Sequence, residues 1–270
     1  MELRAALEAA REPTAGGIGT WGEKTVHAAL KRWADENPAH WEVPLPEGFV
    51  ADVFDGERVT EIQTANFSAL RRKLTVLLER YPVTVVHPIV RQKWLCWIDP
   101  VTGEVTPPRR SPRRGSWADA GGQLIYLLPC LHHPRLTVTL VLLDVEEHRL
   151  ADGWGHGGKR GSHRAERYPR TEIPPETLTL RGASDYRALL PAGLPNPFTA
   201  AEFGKAVHQQ GRTLQGTLKV LLTLEVITRE KSGRKFLYRY EQPKNRDSEK
   251  RKHKRNTVQA TGNRKTENGA

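Results

Sequence analysis

The sequence predicts an α/β (α+β) fold in which a mixed β-sheet is flanked by helices, followed by a small helical domain and a basic tail. Over residues 15–183, runs of β-branched residues alternate with segments whose apolar residues recur at helical spacing. After "LLPAGLPNP" the chain changes to a compact helical pattern, and beyond about residue 241 it has almost no apolar residues. We therefore expect two domains, 15–183 and 184–241, and a disordered tail, 242–270.

Composition bounds the class of protein. The 270 residues, of which 37% are hydrophobic, can bury one large core or a medium core and a small one. No run approaches the roughly 18 apolar residues that a membrane span needs, and the first residues lack the apolar centre of a secretory signal. We expect a soluble, cytoplasmic protein without a membrane partner, and the sequence does not predict its oligomeric state.

Positive charge is concentrated in four places. The formal net charge is +11, and such an excess favours a polyanionic partner. One cluster is the tail, which contains "KRKHKR", and another is a predicted hairpin tip described below. The other two are loops that we expect to be mobile and to follow a phosphate backbone: Arg109, Arg110, Arg113 and Arg114 in a proline-rich loop, and Lys159, Arg160, Arg164, Arg167 and Arg170 in a glycine-rich one. A single basic loop is often only a solvated surface, but four clusters together indicate nucleic acid.

The chain has only two cysteines, Cys96 and Cys130, both in apolar surroundings. Two cysteines are too few for a disulfide framework, and their spacing does not predict a cysteine-based zinc site. We interpret His132 and His133, beside Cys130, as structural residues.

Residues 49–67, "FVADVFDGERVTEIQTANF", predict a β-hairpin that carries acids. Asp55-Gly56 is suited to a two-residue type I′ turn, which would set Phe54 opposite Glu57. Asx-Gly turns of this kind fix the register of both strands.

In that register Asp52 and Glu61 lie diagonally on one face, with roughly 7–8 Å between their backbones. Two carboxylates on an apolar hairpin repel each other unless a cation lies between them. Magnesium suits Asp52, Glu61 and the backbone oxygen of Ile62 as ligands, and Gln63 continues the same face. The alternative is an exposed edge hairpin with solvated acids.

A third acid precedes the hairpin on a predicted helix. Glu23 shares a helical face with Val26, Leu30 and Trp33, so its carboxylate is expected to look inward. Equally, Thr20 and Glu23 form the pattern of a capping box, in which Glu23 only satisfies a backbone donor.

A second helix and more strands follow the hairpin. "FSALRRKLTVLL" places apolar residues on one helical face, and "YPVTVVHPI" and "RLTVTLVLLDVEEHRL" predict buried strands. "WLCWIDPVTGEV" predicts another hairpin. Asp144 and Glu146 are either second-site acids or, as is commoner for such charges, marks of the point where a strand leaves the core.

The order helix with Glu, then Asp52, then Glu61-Ile-Gln63, then helix and strand resembles the PD-(D/E)xK nuclease superfamily, with the Glu-x-Gln form of competence-protein-type members. The resemblance covers about residues 15–90 and implies a restriction-endonuclease-like sheet. It implies that Asp52 and Glu61 bind magnesium or manganese and that a lysine positions the attacking water. Gln63 stands where that lysine usually does, and no Pro precedes Asp52. Some members move the lysine to the following helix, where Lys73 or Arg72 stands.

The segment 185–240 resembles a winged helix-turn-helix domain. Thr199 and Glu202 predict a capping box, with Phe198 and Phe203 as the hydrophobic staple around it. The next helix and hairpin present candidate DNA contacts: Arg212, Gln215, Gly216 and Lys219 on the outward helix face, and Lys231, Arg234 and Lys235 at the hairpin tip. The alternative is a winged helix that binds another protein.

Together these patterns predict a metal-dependent DNA endonuclease, with Glu23, Asp52, Glu61, Gln63 and Lys73 as its catalytic residues. The alternative is a DNA-binding regulator whose nuclease-like core is inactive, which Gln63 and the missing Pro favour. RNA is a second candidate substrate, because basic loops do not distinguish the two backbones. Sequence specificity and pathway are not predicted.

Overall fold

The computed structural model describes residues 1–10, 24–151 and 165–241. Met1–Arg239 form one compact unit, and of the second unit, Tyr240–Ala270, only the first two residues are described. Glu23, Lys159, Arg160 and Arg164 and the predicted tail 242–270 lie outside the described residues. The predicted domain boundary at residue 184 stays a prediction.

The described residues form six α-helices and ten β-strands. The helices are α1 (Leu3–Ala9), α2 (Lys24–Ala34), α3 (Phe67–Leu77), α4 (Gly121–Leu124), α5 (Ala200–Ala206) and α6 (Gly211–Thr223). The strands are β1 (Trp41–Pro44), β2 (Val50–Phe54), β3 (Val59–Ile62), β4 (Val83–Ile98), β5 (Arg109–Arg114), β6 (Leu136–Leu150), β7 (Ala165–Arg170), β8 (Glu176–Leu180), β9 (Thr228–Ser232) and β10 (Lys235–Arg239). Short 3-10 helices lie at Pro38–His40, Trp117–Ala120, Ile125–Leu127 and Ala183–Leu189.

The mixed sheet that the sequence predicted is confirmed. The sheet has eight strands. Six of them follow the order β1-β2-β3-β4-β6-β7, while β5 pairs with β4 and β8 pairs with β6. β3 and β4 pair in parallel, as do β4 and β6, whereas the remaining pairs are antiparallel. Helices flank the sheet: α1 and α2 bury their apolar residues, among them Leu7 and Leu30, against Ile62 and Val86.

The β2–β3 hairpin forms with a different turn from the one predicted. Phe54 pairs with Val59 and not with Glu57, so the loop holds four residues instead of two. The Asp55 carboxylate accepts hydrogen bonds from the backbone N–H groups of Glu57 and Arg58, at 2.9 and 2.7 Å. The side chain thus stabilises the wider loop, and the predicted type I′ turn is wrong.

The new register changes the relation between the two acids. Val53 pairs with Thr60 and Phe54 with Val59, and the paired ladder ends there. Asp52 and Glu61 are the next residue on each strand, so they follow the same pair instead of lying diagonally. The backbone N–H of Ile62, next to Glu61, donates to the Asp52 carboxylate at 2.7 Å.

Two long strands carry the centre of the sheet. β4 runs through both "VTVVHPIV" and "KWLCWI" without the break that the sequence suggested, because β6 pairs with it over almost its whole length. The register shifts once, between Val90 and Gln92. At the end of β4 the chain does turn back, and the N–H of Thr106 donates to the carbonyl of Trp97 at 2.8 Å. The predicted hairpin is thus the short end of a much longer strand.

The predicted mobile arm around residue 110 is instead an edge strand. β5 pairs antiparallel with β4, and the amide of Gln92 donates to the carbonyl of Ser111 at 2.7 Å. An edge strand tolerates Pro112 because one side of its backbone needs no ladder partner. The arginines of this segment therefore project from an ordered strand.

The C-terminal segment has the predicted order of two helices and a hairpin, α5, α6, β9 and β10. Its predicted helix start is confirmed, since Thr199 and Glu202 form a capping box and the rings of Phe198 and Phe203 stack 5.8 Å apart. Gly216, predicted to face outward, is buried. A Cβ there would lie 3.3 Å from the carbonyl oxygen of Gly121, so α6 packs closely on α4.

Candidate functional site

Glu61, on β3, is buried with half of its carboxylate unsatisfied. Its side chain is only 4% exposed, and Oε2 accepts a hydrogen bond from Lys73 Nζ at 2.5 Å. The other oxygen, Oε1, is buried without a hydrogen-bond partner. Burial raises the pKa of Glu61 to about 7, an effect that Lys73 opposes and the charge of Asp52 reinforces. An orphaned, buried carboxylate oxygen is costly, so this position favours either a proton or a bound cation.

Asp52, on β2, is held in the ionised form. The backbone N–H of Ile62 donates to Asp52 Oδ2 at 2.7 Å, and His27 Nε2 lies 3.6 Å from the same oxygen. Burial opposes ionisation, but the hydrogen bonds from His27 and Ile62 outweigh it and, with the charge of Lys73, lower the pKa of Asp52. The site therefore pairs one carboxylate that stays charged with a neighbour that gives up its proton near neutral pH.

This donor set fits a hard divalent cation. Magnesium binds one or two carboxylates together with carbonyls and waters, and Asp52 and Glu61 supply the carboxylates. The buried, unpartnered Oε1 of Glu61 is the structural observation in favour of a cation, since a metal would satisfy the atom that no described residue satisfies.

Lys73 contributes the positive charge of the site from α3. Its ammonium donates to the carbonyl of Val50 at 2.6 Å and to Glu61 Oε2, so it bridges β2 and β3. The Lys73 side chain is 16% exposed. The sequence named Lys73 as a substitute for the lysine missing from β3, and the structure brings it to the acids.

Gln63 points elsewhere. Its side-chain amide nitrogen donates to the backbone carbonyls of Ala65 and Asn66, while the backbone carbonyl of Gln63 lies 2.6 Å from His87 Nδ1 and accepts its hydrogen bond. The Gln63 side chain thus caps the loop before α3 in this arrangement. Reorientation of that loop is needed before Gln63 can orient a water between the acids.

His27, on α2, is a candidate that the sequence prediction missed. It follows Glu23 by four positions, a spacing that predicts one shared helical face, and this spacing was the available signal. His27 approaches Asp52, whereas Glu23 lies outside the described residues.

The acids at the end of β6 have other partners. Asp144 accepts from Arg91 Nε at 2.7 Å. Glu147 is buried among three cations: Lys93, Arg149 and Arg167, at 3.1, 2.6 and 2.9 Å. Although burial opposes it, the hydrogen bonds from Arg167 and Arg149 and the charge of Lys93 lower the pKa of Glu147 to about 2. β6 continues past Asp144 and Glu146 to Leu150, and Asp144 is buried, so these acids do not mark the point where the strand leaves the core.

The predicted nucleic-acid contacts divide into engaged and exposed groups. Arg110 donates to Gln92 Oε1 at 3.1 Å, Arg113 pairs with Asp119 at 3.0 Å, and Arg167 is engaged with Glu147. Arg110 and Arg113 are exposed as well as engaged. The other exposed residues are Arg109 and Arg114 on β5, Arg212, Gln215 and Lys219 on α6, and Lys231, Arg234 and Lys235 on the β9–β10 hairpin.

Comparison with known proteins gives a family but no activity. A family model described as "Domain of unknown function (DUF8091)" matches residues 24–177, which include the β2–β3 hairpin, α3 and the ends of β4 and β6. No curated protein matches the chain, and no solved structure does. Within the described residues, no helix has the length and apolar character needed to span a membrane.

Proposed function

The chain belongs to the DUF8091 family, and we propose that it is a metal-dependent DNA endonuclease with a restriction-endonuclease-like core. The observation that carries the proposal is the carboxylate of Glu61, with one oxygen on Lys73 and the other buried without a partner, beside an ionised Asp52. Phosphodiester hydrolysis needs little more than a positioned water and neutralisation of phosphate charge.

In this mechanism Asp52, Glu61 and the backbone oxygen of Ile62 hold magnesium or manganese. The ion supplies charge neutralisation at the phosphate and makes its bound water more acidic. A bound ion would satisfy Oε1 of Glu61 in place of the proton that this carboxyl, with its pKa raised to about 7, otherwise carries.

In this proposal Lys73 replaces the water-positioning lysine, whose usual place is taken by Gln63. Its ammonium lies at Glu61 and is held by the carbonyl of Val50. From there it can orient the attacking water and stabilise negative charge as the phosphorus is attacked. Gln63 and Glu23 have supporting roles in this proposal, with Gln63 orienting water after its loop moves.

The proposed substrate is DNA, bound through the exposed cations. The exposed face of α6 and the basic β9–β10 hairpin suit a winged-helix domain, in which a helix enters the major groove and the hairpin contacts phosphate. The arginines of β5 add sequence-independent phosphate contacts. RNA is the second substrate to test, because none of these contacts selects deoxyribose.

One observation favours a regulator with an inactive core as the second candidate. The Gln63 amide is bound to the backbone of its own loop, and a neutral side chain cannot lend the water a positive charge. A regulator would bind DNA through the same exposed cations without cutting it.

The deciding experiment is cleavage of supercoiled, linear and branched DNA by the full chain with magnesium or manganese, with chelator as the blank. Asp52→Asn and Glu61→Gln keep the size of each side chain, so loss of metal ligation should lower cleavage by several orders of magnitude while DNA binding survives. Glu57→Gln, an exposed change in the same hairpin, is the matched control and should cut like the wild type. If the purified wild type cuts none of these substrates, or if both variants cut as well as it does, the regulator is the better assignment.

A further inference from the structure

A second group of ligating side chains meets where β4 and β6 run side by side, far from Glu61. Cys96 on β4 pairs with His148 on β6, and Glu146 lies two residues before His148. Residues two apart on a strand project from the same face, and so do paired residues on neighbouring strands. The ladder therefore brings a thiol, a carboxylate and an imidazole together. Glu61 pairs with Val85 on the same strand β4, about 35 Å of extended chain away from Cys96.

The three side chains already contact one another. His148 Nε2 lies 2.7 Å from Glu146 Oε1, and the Cys96 thiol interacts with the same carboxylate. One ligand atom from each lies within 4.8 Å of the other two. No other set of three His, Cys, Asp or Glu side chains in the described ranges 1–10, 24–151 and 165–241 comes this close.

This spacing requires only a small adjustment to accept zinc. Zn–S and Zn–N or Zn–O bonds of about 2.3 and 2.1 Å set tetrahedral ligand atoms about 3.3–3.8 Å apart. The 2.7 Å separation of His148 and Glu146 must open slightly, while the wider separations close. Rotation of the half-buried side chains of Glu146 and His148 toward the buried Cys96 can achieve this without moving the strands, which the β4–β6 ladder holds in register on either side of the group.

Neighbouring residues orient the candidate ligands. Arg170 Nη1 lies 3.5 Å from Glu146 Oε2, while its guanidinium stacks 4.4 Å from the Trp94 ring and pairs with Glu172. Tyr168 meets the His148 ring edge-on at 5.0 Å. Carboxylate ligands of metals are commonly fixed by such outer hydrogen bonds, and Glu172 offsets the repulsion that Arg170 alone would exert on a cation.

We propose that Cys96, Glu146 and His148 form a zinc site that joins the ends of β4 and β6. One thiolate, one carboxylate and one neutral imidazole balance the charge of Zn²⁺, and three protein ligands leave the fourth tetrahedral position for water. Binding releases the thiol proton of Cys96 to solvent and moves the imidazole proton of His148 to Nδ1. The soft sulfur and the imidazole select zinc over the magnesium proposed at Asp52 and Glu61. The two metal sites are therefore independent.

Sequence patterns do not predict this site. Cys96 and His148 stand on different strands with no close ligand spacing, and two cysteines alone argued against a cysteine-based zinc site. Only the parallel pairing of β4 with β6 brings the mixed ligand set together.

Cobalt is the probe that tests the proposal, because Co²⁺ replaces Zn²⁺ and reports its ligands by absorption. The full chain is stripped with chelator and titrated with Co²⁺ in the presence of excess Mg²⁺. We expect one equivalent to give the visible bands of a tetrahedral ion and a thiolate-to-cobalt charge-transfer band, both reversed by Zn²⁺.

Matched cysteine variants locate the ligand. Cys96→Ser should remove the charge-transfer band and weaken Zn²⁺ binding by on the order of 100-fold. Cys130→Ser, a change at the other buried cysteine, should keep both, and His148→Asn should weaken binding while keeping the thiolate band. A stripped, folded wild type that gives no thiolate band, or a band that persists in Cys96→Ser, overturns the proposal. The wild-type spectrum decides the matter even if Cys96→Ser fails to fold.

Discussion

Glu61 and Glu147 are two buried glutamates of the same sheet with opposite surroundings. Their side chains are 4% and 3% exposed. Glu147 is held by three cations and its pKa is lowered to about 2, whereas Glu61 has a single lysine, an orphaned oxygen and a pKa raised to about 7. The exposed fractions of the two side chains are nearly equal and burial raises both pKa values, but only Glu147 has enough cationic partners to outweigh burial.

The difference indicates which buried acid is structural. A saturated carboxylate contributes to stability and has no capacity left for a ligand. An unsaturated one costs stability in the absence of a ligand, and proteins keep such groups chiefly where they are used. The comparison therefore assigns Glu147 to the architecture of the β6 end and Glu61 to the candidate site. Four predictions test it.

The largest effect is expected when the single cation at Glu61 is removed. Lys73→Met keeps the length of the side chain but deletes the charge that would stabilise the transition state, so cleavage at saturating Mg²⁺ should fall by on the order of 10²–10³-fold. Arg149→Met removes one of the three cations at Glu147 and should leave cleavage unchanged. The measurement is the rate of DNA cleavage by each variant. If both variants lose the same activity, Lys73 acts only by stabilising the fold, as Arg149 does.

The second prediction concerns stability at Glu147. Glu147→Gln leaves three cations clustered without their anion, so the free energy of unfolding at neutral pH should fall by about 3 kcal/mol. That is the lower end for a buried pair, because the cations are 23–36% exposed and partly screened. Denaturant unfolding measures it, with Glu57→Gln as the exposed control. If Glu147→Gln lowers the free energy of unfolding by less than Glu57→Gln does, Glu147 does not stabilise the fold.

The third prediction is that the two glutamates make stability depend on pH in opposite directions. The pKa of Glu61 is raised to about 7 in the folded protein. Its contribution is therefore fully present below its unfolded pKa of about 4.5 and lost as the pH rises through 7, by up to about 3 kcal/mol. The pKa of Glu147 is lowered to about 2, so its contribution is present above about 4.5 and lost as the pH falls toward 2.

Unfolding curves of the wild type, Glu61→Gln and Glu147→Gln in chelator isolate these slopes, with pH 4 to 8 for Glu61 and pH 2 to 5 for Glu147. Glu61→Gln should gain stability relative to the wild type as the pH rises, and Mg²⁺ should cancel that gain by stabilising the wild type alone. If the Glu61→Gln and wild-type curves run parallel, the carboxylate is ionised throughout and the comparison with Glu147 fails.

The sequence was sufficient to predict helices and the residue types of the site, but not which strands and side chains contact one another. Helical periodicity predicted α3, and the capping box predicted the start of α5 at Thr199. The residue types of the acid site were also visible, since Asp52 and Glu61 flank one short loop. Local patterns of this kind are encoded within a few residues of each other.

What the sequence left out depends on long-range pairing or on side-chain competition. The Asp55 carboxylate accepts hydrogen bonds from two backbone N–H groups, and the turn is wider than predicted. Statistical preferences for two-residue turns do not take such side-chain hydrogen bonds into account. β4 continued through Cys96 because β6 offered an equally long partner. Likewise the engagement of Arg167 by Glu147 follows from the pairing of β6 with β7, so its place among the predicted DNA contacts needed a test of its own.

The smallest effect is expected for the positively charged residues, which also differ in whether they are paired with an acid or exposed to solvent. Arg212 and Lys219 are exposed on α6, whereas Arg167 is engaged with Glu147. Arg212→Glu with Lys219→Glu should therefore weaken duplex binding by about 10-fold at moderate salt, about 1–2 kcal/mol, through the loss of phosphate or base contacts. Arg167→Gln should lower stability and leave affinity nearly unchanged.

Fluorescence anisotropy measures the affinities for DNA. The control reverses the charge of Arg4 and Arg32, which are exposed on α1 and α2, and so makes the same change in net charge. If the control pair weakens binding as much as the α6 pair, only the overall charge attracts DNA and the α6 face is not a reader; if Arg167→Gln weakens it more, engagement with Glu147 does not take a cation out of the binding surface.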